Sequence, residues 1–167
     1  HVASLGRIGW FSAFFHAVSA FCNAGFALFP DSLMGFAGNL PVNFIIMSLI
    51  ILGGIGFYVL VEVPGYLCRL LRRDREARLS WQSAVVIRTS VWLIVAGWAI
   101  FFWTESEQGQ AHLFATLLQT LFQSVTARTA GFNTMDIGAM TDTALFVMIL
   151  LMVIGGSPAS CAGGIKT

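Results

Sequence analysis

Twice in this chain an apolar stretch ends in a run of small residues around a glycine. Phe15-His16-Ala17-Val18-Ser19-Ala20 leads into Asn23-Ala24-Gly25-Phe26, and Phe122-Gln123-Ser124-Val125-Thr126-Ala127 leads into Thr129-Ala130-Gly131-Phe132-Asn133. What these runs offer chemically is bare backbone. Small side chains leave carbonyl oxygens accessible, and Gly25 and Gly131 can take dihedral angles that aim carbonyls at an axis. Rings of carbonyls can replace the water shell of a dehydrated ion, and a helix that ends at such a turn adds the negative end of its dipole. The chemistry that suits these residues is coordination of a bare cation. Gly25 and Gly131 are the central candidate positions, with Asn23, Ala24, Thr129, Ala130 and Asn133 beside them. One turn is no ring; four are needed around an axis, so further units must supply the others.

Membrane elements must position such turns. The chain is 57% hydrophobic and 10% charged, with mean hydropathy +0.81, whereas a soluble domain is roughly half apolar and a quarter charged. The net charge of +1 gives no reason to expect a nucleic-acid partner. Cys22, Cys68 and Cys161 are far apart and in no metal-ligand spacing, so they read as small packing residues. There is no initiator methionine and no signal-peptide pattern at His1, and the chain stops just after a glycine-rich run. It reads as an internal piece of a longer protein.

Residues 42–61 and 84–103 each make about twenty apolar residues, enough to cross roughly 30 Å of hydrocarbon. Trp81 and Trp103 fall near the ends of the second span, where interfacial aromatics belong, and Arg88 can snorkel. Residues 143–154 form a third apolar helix, too short at about 18 Å. It meets Gly155-Gly156-Ser157-Pro158, where a helix should break inside the bilayer. Arg69, Arg72, Arg73, Arg75 and Arg78 place the link between the first two spans in the cytoplasm. Residues 113–132 then enter from outside. A full span there would reverse the helix that follows relative to its counterpart, and the second half of the segment is polar. It reads as a re-entrant pore helix, surrounded by protein or a water-filled cavity, and residues 10–26 read the same way. Gly25 and Gly131 stand 106 residues apart, a period that points to duplication of a membrane unit.

The motifs carry a family resemblance. The run from Ser124 through Ala127-Arg128-Thr129-Ala130-Gly131 to Thr134 resembles the third filter region of the Trk/Ktr/HKT superfamily of potassium transporters. Gly155-Gly156-Ser157-Pro158-Ala159-Ser160-Cys161-Ala162-Gly163-Gly164-Ile165-Lys166-Thr167 resembles the intramembrane gate loop of that superfamily's third repeat, and the run from Ser19 to Phe26 resembles its second filter region. The resemblance covers the whole chain in order and is nearest to the bacterial TrkH- and KtrB-type membrane subunits. Cys22 departs from a commonly polar position, and Ala159 and Cys161 stand where Gly and Thr are usual.

The resemblance implies an all-α polytopic membrane protein with repeated helix–pore helix–filter–helix units, as in potassium channels. Residues 1–68 would be part of the second repeat, 69–83 a basic cytoplasmic link and 84–167 most of the third repeat. It implies potassium uptake across the bacterial inner membrane through a carbonyl-lined filter. No catalysis is expected and no cofactor in this chain; potassium is the transported ligand. The implied partners are membrane lipid, a second copy in a homodimer, and a cytosolic nucleotide-binding regulatory ring. An intramembrane gate would comprise Gly155, Gly156, Ser157, Pro158, Gly163, Gly164 and Lys166, lying below the filter across the conduction path.

Other residues have narrower readings. Lys166, the only lysine, either repels cations or latches the closed loop by a hydrogen bond, or simply marks the cytoplasmic exit of the helix. Arg128 cannot ligate a cation; it props its turn by donating to backbone carbonyls or to an acidic partner, for which Asp136 is a candidate. His16 reads as a packed residue. Asp31, Glu105, Glu107, Asp136 and Asp142 fall outside, either as an acidic vestibule or as ordinary loop charge. Gly53, Gly54 and Gly56 should allow close helix contact. A phosphate-binding loop at Lys166-Thr167 is excluded, because Ile165 stands where Gly is required and a helix precedes in place of a strand. An alternating-access carrier with its site at the Gly155 break is the competing function. A hydrolase built on Ser157, Ser160 or Cys161 lacks a base at similar depth, since His112 and the acids lie outside.

Overall fold

The computed structural model describes residues 9–73, 78–106 and 113–166. Among them are six α-helices, two single-turn 3₁₀ helices and no strand. The helices are α1 (Trp10–Phe21), α2 (Leu40–Ile55), α3 (Phe57–Leu71), α4 (Trp81–Ser106), α5 (Leu113–Thr126) and α6 (Asp142–Val153). Their starts are written locally. The Asn39 side chain accepts from Val42 N at 3.2 Å with Pro41 in the first turn of α2, and the Thr141 hydroxyl accepts from Ala144 N at 3.3 Å to open α6.

Among the described residues α4 alone is long and apolar enough by itself to cross a bilayer; its 26 residues extend about 39 Å. It contains the span expected at 84–103. By contrast α1, α5 and α6 have 12, 14 and 12 residues, or about 18–21 Å each. The last five residues of α5, Phe122, Gln123, Ser124, Val125 and Thr126, are all buried. Its polar end is therefore enclosed by protein, the condition for a polar helix end at membrane depth.

The run expected at 42–61 as one span is not one straight helix. The helix stops at Ile55 and restarts at Phe57, and the two pieces are bent by 106°. Gly56 sits between them at φ 96°, ψ 151°, a left-handed φ that only glycine takes freely. The link is also shorter than 69–83, because α3 runs through Arg69 to Leu71 and α4 begins at Trp81. Arg75, Glu107 and His112 lie outside the described residues.

Two apolar clusters hold the helices together. One joins Ile46, Met47 and Ile50 of α2 to Leu118 and Phe122 of α5, with Ala20, Phe36 and Phe132. The other joins Leu93 and Phe101 of α4 to Ala144, Met148 and Leu151 of α6. Thus α5 packs against both α2 and α4, α1 rests on α2, and α6 on α4. Gly97 permits the close approach of α4 to α5 and α6: a Cβ there would lie 2.6 Å from Ser124 Oγ and 2.9 Å from Leu151. Ser124 Oγ donates to Ile94 O at 2.7 Å, so a polar side chain of α5 is satisfied by the backbone of its neighbour.

Candidate functional site

The two small-residue turns meet. A Cβ added to Gly25 would lie 2.2 Å from Ala130 O and 3.1 Å from Gly131 Cα, and one added to Gly131 would lie 3.7 Å from Gly25 Cα. Each turn follows a helix end, Phe21 of α1 or Thr126 of α5. The turns repeat one backbone pattern. Asn23 and Gly25 have φ of 52° and 70°; Thr129 and Gly131, each 106 positions on, have 76° and 85°. Left-handed backbone at Asn23 is uncommon, and at β-branched Thr129 it is an outlier costing about 1–3 kcal/mol. The surroundings impose it in both copies. Among the described residues, no hydrogen bond is donated to the carbonyls of Asn23, Ala24, Gly25, Thr129, Ala130 or Gly131. Asn133 borders the same cleft as the turns, but its carbonyl accepts from Leu33 N at 3.0 Å and its N–H donates to Ser32 Oγ at 3.1 Å.

A cleft of about 360 Å³ is bordered by both turns, with Ala24 on one side and Thr129, Ala130 and Gly131 on the other. Gln123 and Thr126 also line it. The buried oxygens Gln123 Oε1, Thr126 Oγ1 and Thr129 Oγ1 have no hydrogen-bond partner among the described residues. The turns are braced from behind. Ser19 Oγ donates to Phe26 O at 2.9 Å, and Asn23 Nδ2 donates to Ile50 O at 3.3 Å on α2. Ala130 N and Gly131 N both donate to Thr126 O, at 3.0 and 3.2 Å.

Arg128 props its turn through a backbone carbonyl. Its Nη2 donates to Gly155 O at 3.3 Å, at the end of α6. Asp136 is not its partner; that carboxylate caps Gly138 N at 2.9 Å instead. His16 is buried, stacked on Phe29 at 5.0 Å, and accepts from Leu28 N through Nε2 at 3.2 Å. The ring proton is therefore on Nδ1, which donates to Ser12 O at 2.6 Å. Glu105 lines a separate cleft together with Asp136. It is 2% exposed and accepts from Thr141 N and Oγ1 at 3.3 and 3.2 Å.

After α6 the chain makes a closed loop. Ile154 and Ile165 pair in an isolated bridge. Gly155 N donates to Ile165 O at 3.0 Å, Ile165 N to Val153 O at 3.0 Å, and Gly156 N to Gly163 O at 3.2 Å. The crossing is close, since a Cβ on Gly155 would lie 1.8 Å from Gly163 O. Pro158 follows the buried Ser157, and Lys166 Nζ donates to Ala162 O inside the same loop. Arg128 thus ties the second turn to the root of this loop.

A family model for cation transport proteins, TrkH, matches residues 1–167. The chain belongs to the TrkH family. It is 40% identical over 162 residues to the Ktr system potassium uptake protein B of Bacillus subtilis (strain 168), covering 95% of this chain and 35% of that protein. It is 39% identical over 165 residues to the protein of the same name in Vibrio alginolyticus, covering 96% and 35%. The potassium/sodium uptake protein NtpJ of Enterococcus hirae is 38% identical over 162 residues, covering 95% and 34%. The fold matches the crystal structure of the potassium transporter TrkH from Vibrio parahaemolyticus, with a TM-score of 0.74 at 21% identity, over 99% of this chain and 34% of that one. The chain spans about a third of the length of these relatives. The all-α fold is that of a helical membrane transporter of the TrkH family.

Sequence reasoning missed one set of residues. Gly53, Gly54 and Gly56 were expected only to let helices approach; they also touch the loop at 157–161. A second Gly-Gly pair, at the end of an apolar run as at Gly155-Gly156, was the signal in the sequence.

Proposed function

We propose that this chain is part of a potassium uptake protein, conducting the dehydrated ion past the carbonyls of residues 23–25 and 129–131 and gated by residues 155–166. The observation that carries the reading is the meeting of the two turns, Gly25 against Ala130 and Gly131, with six carbonyls to which no described residue donates. Their shared alternation of left-handed residues, each turn at the carbonyl end of a short helix, suits a cation. The names of the relatives, potassium uptake proteins of the Ktr system, support the same ion. Asn133 flanks the site and Arg128 supports it; neither supplies a ligand in this reading. The complete protein would be a multi-pass transporter of the bacterial inner membrane and not an enzyme. It would work as a homodimer docked on a cytosolic nucleotide-binding ring, with lipid around it.

The test is ion selectivity in the full-length protein. Gly131→Ser puts a side chain on a left-handed residue beside the conducting carbonyls. The ratio of potassium to sodium flux in reconstituted vesicles should fall by roughly tenfold, the equivalent of about 1.4 kcal/mol of lost discrimination. An unchanged flux ratio in folded protein would mean that these turns do not form the filter.

A further inference from the structure

The break between α2 and α3 leaves main-chain groups that a continuous helix would pair internally. In an unbroken helix Gly53 O would accept from Phe57 N, and Gly54 O from Tyr58 N. Here the loop after α6 takes those places. Cys161 N donates to Gly53 O at 3.1 Å, Ser157 N donates to Gly54 O at 3.1 Å, and Phe57 N donates to Ala159 O at 3.0 Å. The loop is spliced into the hydrogen-bond ladder of a helix from the preceding repeat. Gly56 makes the splice possible sterically: a Cβ there would lie 2.6 Å from Pro158 O, at a φ of 96°. Gly156 is needed on the other side, where a Cβ would lie 3.0 Å from Gly54 O.

The same short segment also reaches the first turn. A Cβ on Gly53 would lie 1.8 Å from Phe21 O, and Asn23 Nδ2 donates to Ile50 O one turn earlier. One end of α2 therefore touches the candidate filter on one side and the loop on the other.

We propose that the α2–α3 break is the receiving half of the gate: the loop closes by completing the helix ladder at Gly53, Gly54 and Phe57, and opens by leaving it. This rests on the reading of residues 155–166 as a gate. Buried main-chain groups demand partners. The loop can leave only if water enters the break or α2 and α3 pair with each other, so closed and open are two discrete arrangements rather than a continuum. Gly56 is a positioning residue in this device and does not touch the ion.

The experiment uses the full-length protein in vesicles and follows potassium flux together with the potassium-to-sodium ratio. Shortening residues 157–163 tests the gate reading alone and should raise flux. Gly56→Ala pushes Pro158 out of its seat. It should raise flux about fivefold, the effect of losing one net main-chain hydrogen bond, with the ion ratio unchanged. Combined with the shortened loop it should add nothing further. If shortening raises flux and Gly56→Ala in folded protein does not, or if the two effects add, the receiving role is wrong while the gate stands. If neither changes flux, the gate reading itself fails. A second variant guards against a folding defect in Gly56→Ala. Phe57→Cys with Ala159→Cys, in a background with Cys22, Cys68 and Cys161 replaced by serine, should cross-link under oxidant, suppress flux, and recover with reductant. Unchanged flux after cross-linking overturns the proposal.

Discussion

The two turns are near copies in sequence and backbone, yet they are secured by different means. The turn at Gly25 is fixed by bulk. Ala130 O occupies the place where a Cβ would go, at 2.2 Å, and Asn23 anchors the turn to α2. The turn at Gly131 has room, with only Gly25 Cα near its Cβ position, at 3.7 Å. It is secured instead by the doubled acceptor Thr126 O and by Arg128, which reaches Gly155 O at the root of the loop. Both turns have a polar anchor, but only the first has its glycine blocked by a carbonyl of the other turn, and only the second is tied to the loop after α6. Duplicated units can thus keep one local geometry while differing in how it is supported.

This difference gives the largest expected effect. Gly25→Ala must displace a carbonyl of the other turn and adopt a left-handed φ, costing roughly 3 kcal/mol or more. Gly131→Ala meets only an ordinary van der Waals contact with Gly25 Cα and incurs the left-handed penalty alone, about 1–2 kcal/mol. Unfolding midpoints of the detergent-solubilised full-length variants should separate in that order. Equal losses would erase that difference between the two glycines.

A smaller contrast lies within one Gly-Gly pair. A Cβ on Gly53 would lie 1.8 Å from Phe21 O, whereas at Gly54 the nearest atom outside its own helix is Asn23 Nδ2 at 4.0 Å. Gly53→Ala should cost about 2–3 kcal/mol by overpacking backbone against backbone. Gly54→Ala should be neutral or stabilising by up to about 1 kcal/mol, because alanine favours the helix. Thermal unfolding of the pair checks it, and a costly Gly54→Ala would show that the end of α2 sits closer to the first turn than described.

Much of this arrangement was legible in the sequence, and the exceptions share a cause. The span at 84–103 lies within α4, and the short apolar helix at 143–154 ends at Val153, because composition and a Gly-Gly-Ser-Pro run determine them locally. The turns at Gly25 and Gly131 were legible because the repeat displays them twice. The break at Gly56 was not. Residues 42–61 are mostly apolar and contain no charge, and a glycine that costs a helix only about 1 kcal/mol rarely stops it. What stabilises the break comes from residues 157–161, a hundred positions away, whose main chain supplies the missing hydrogen bonds. Arg128 was half legible: a backbone acceptor was foreseen, but only packing of α6 against α4 brings Gly155 to it.

Glu105 supplies the smallest prediction, and its buried partner was hidden in the sequence for the same reason. In the sequence it is one of several acids in an outer loop, beside Glu107. In the fold it is the last buried residue of α4, and its carboxylate accepts from both the N–H and the hydroxyl of Thr141, the residue that caps α6. A carboxylate near a helix N-terminus also meets the positive end of the dipole. Glu105→Ala should therefore destabilise the docking of α6 by about 1–2 kcal/mol, while the potassium-to-sodium ratio stays at the wild-type value because the residue is not part of either turn. A vestibule charge would behave in the opposite way, leaving stability alone and lowering flux most at low ionic strength, where long-range attraction of cations is strongest. Measuring unfolding and the salt dependence of flux on the same variant decides which side of the protein this acid serves.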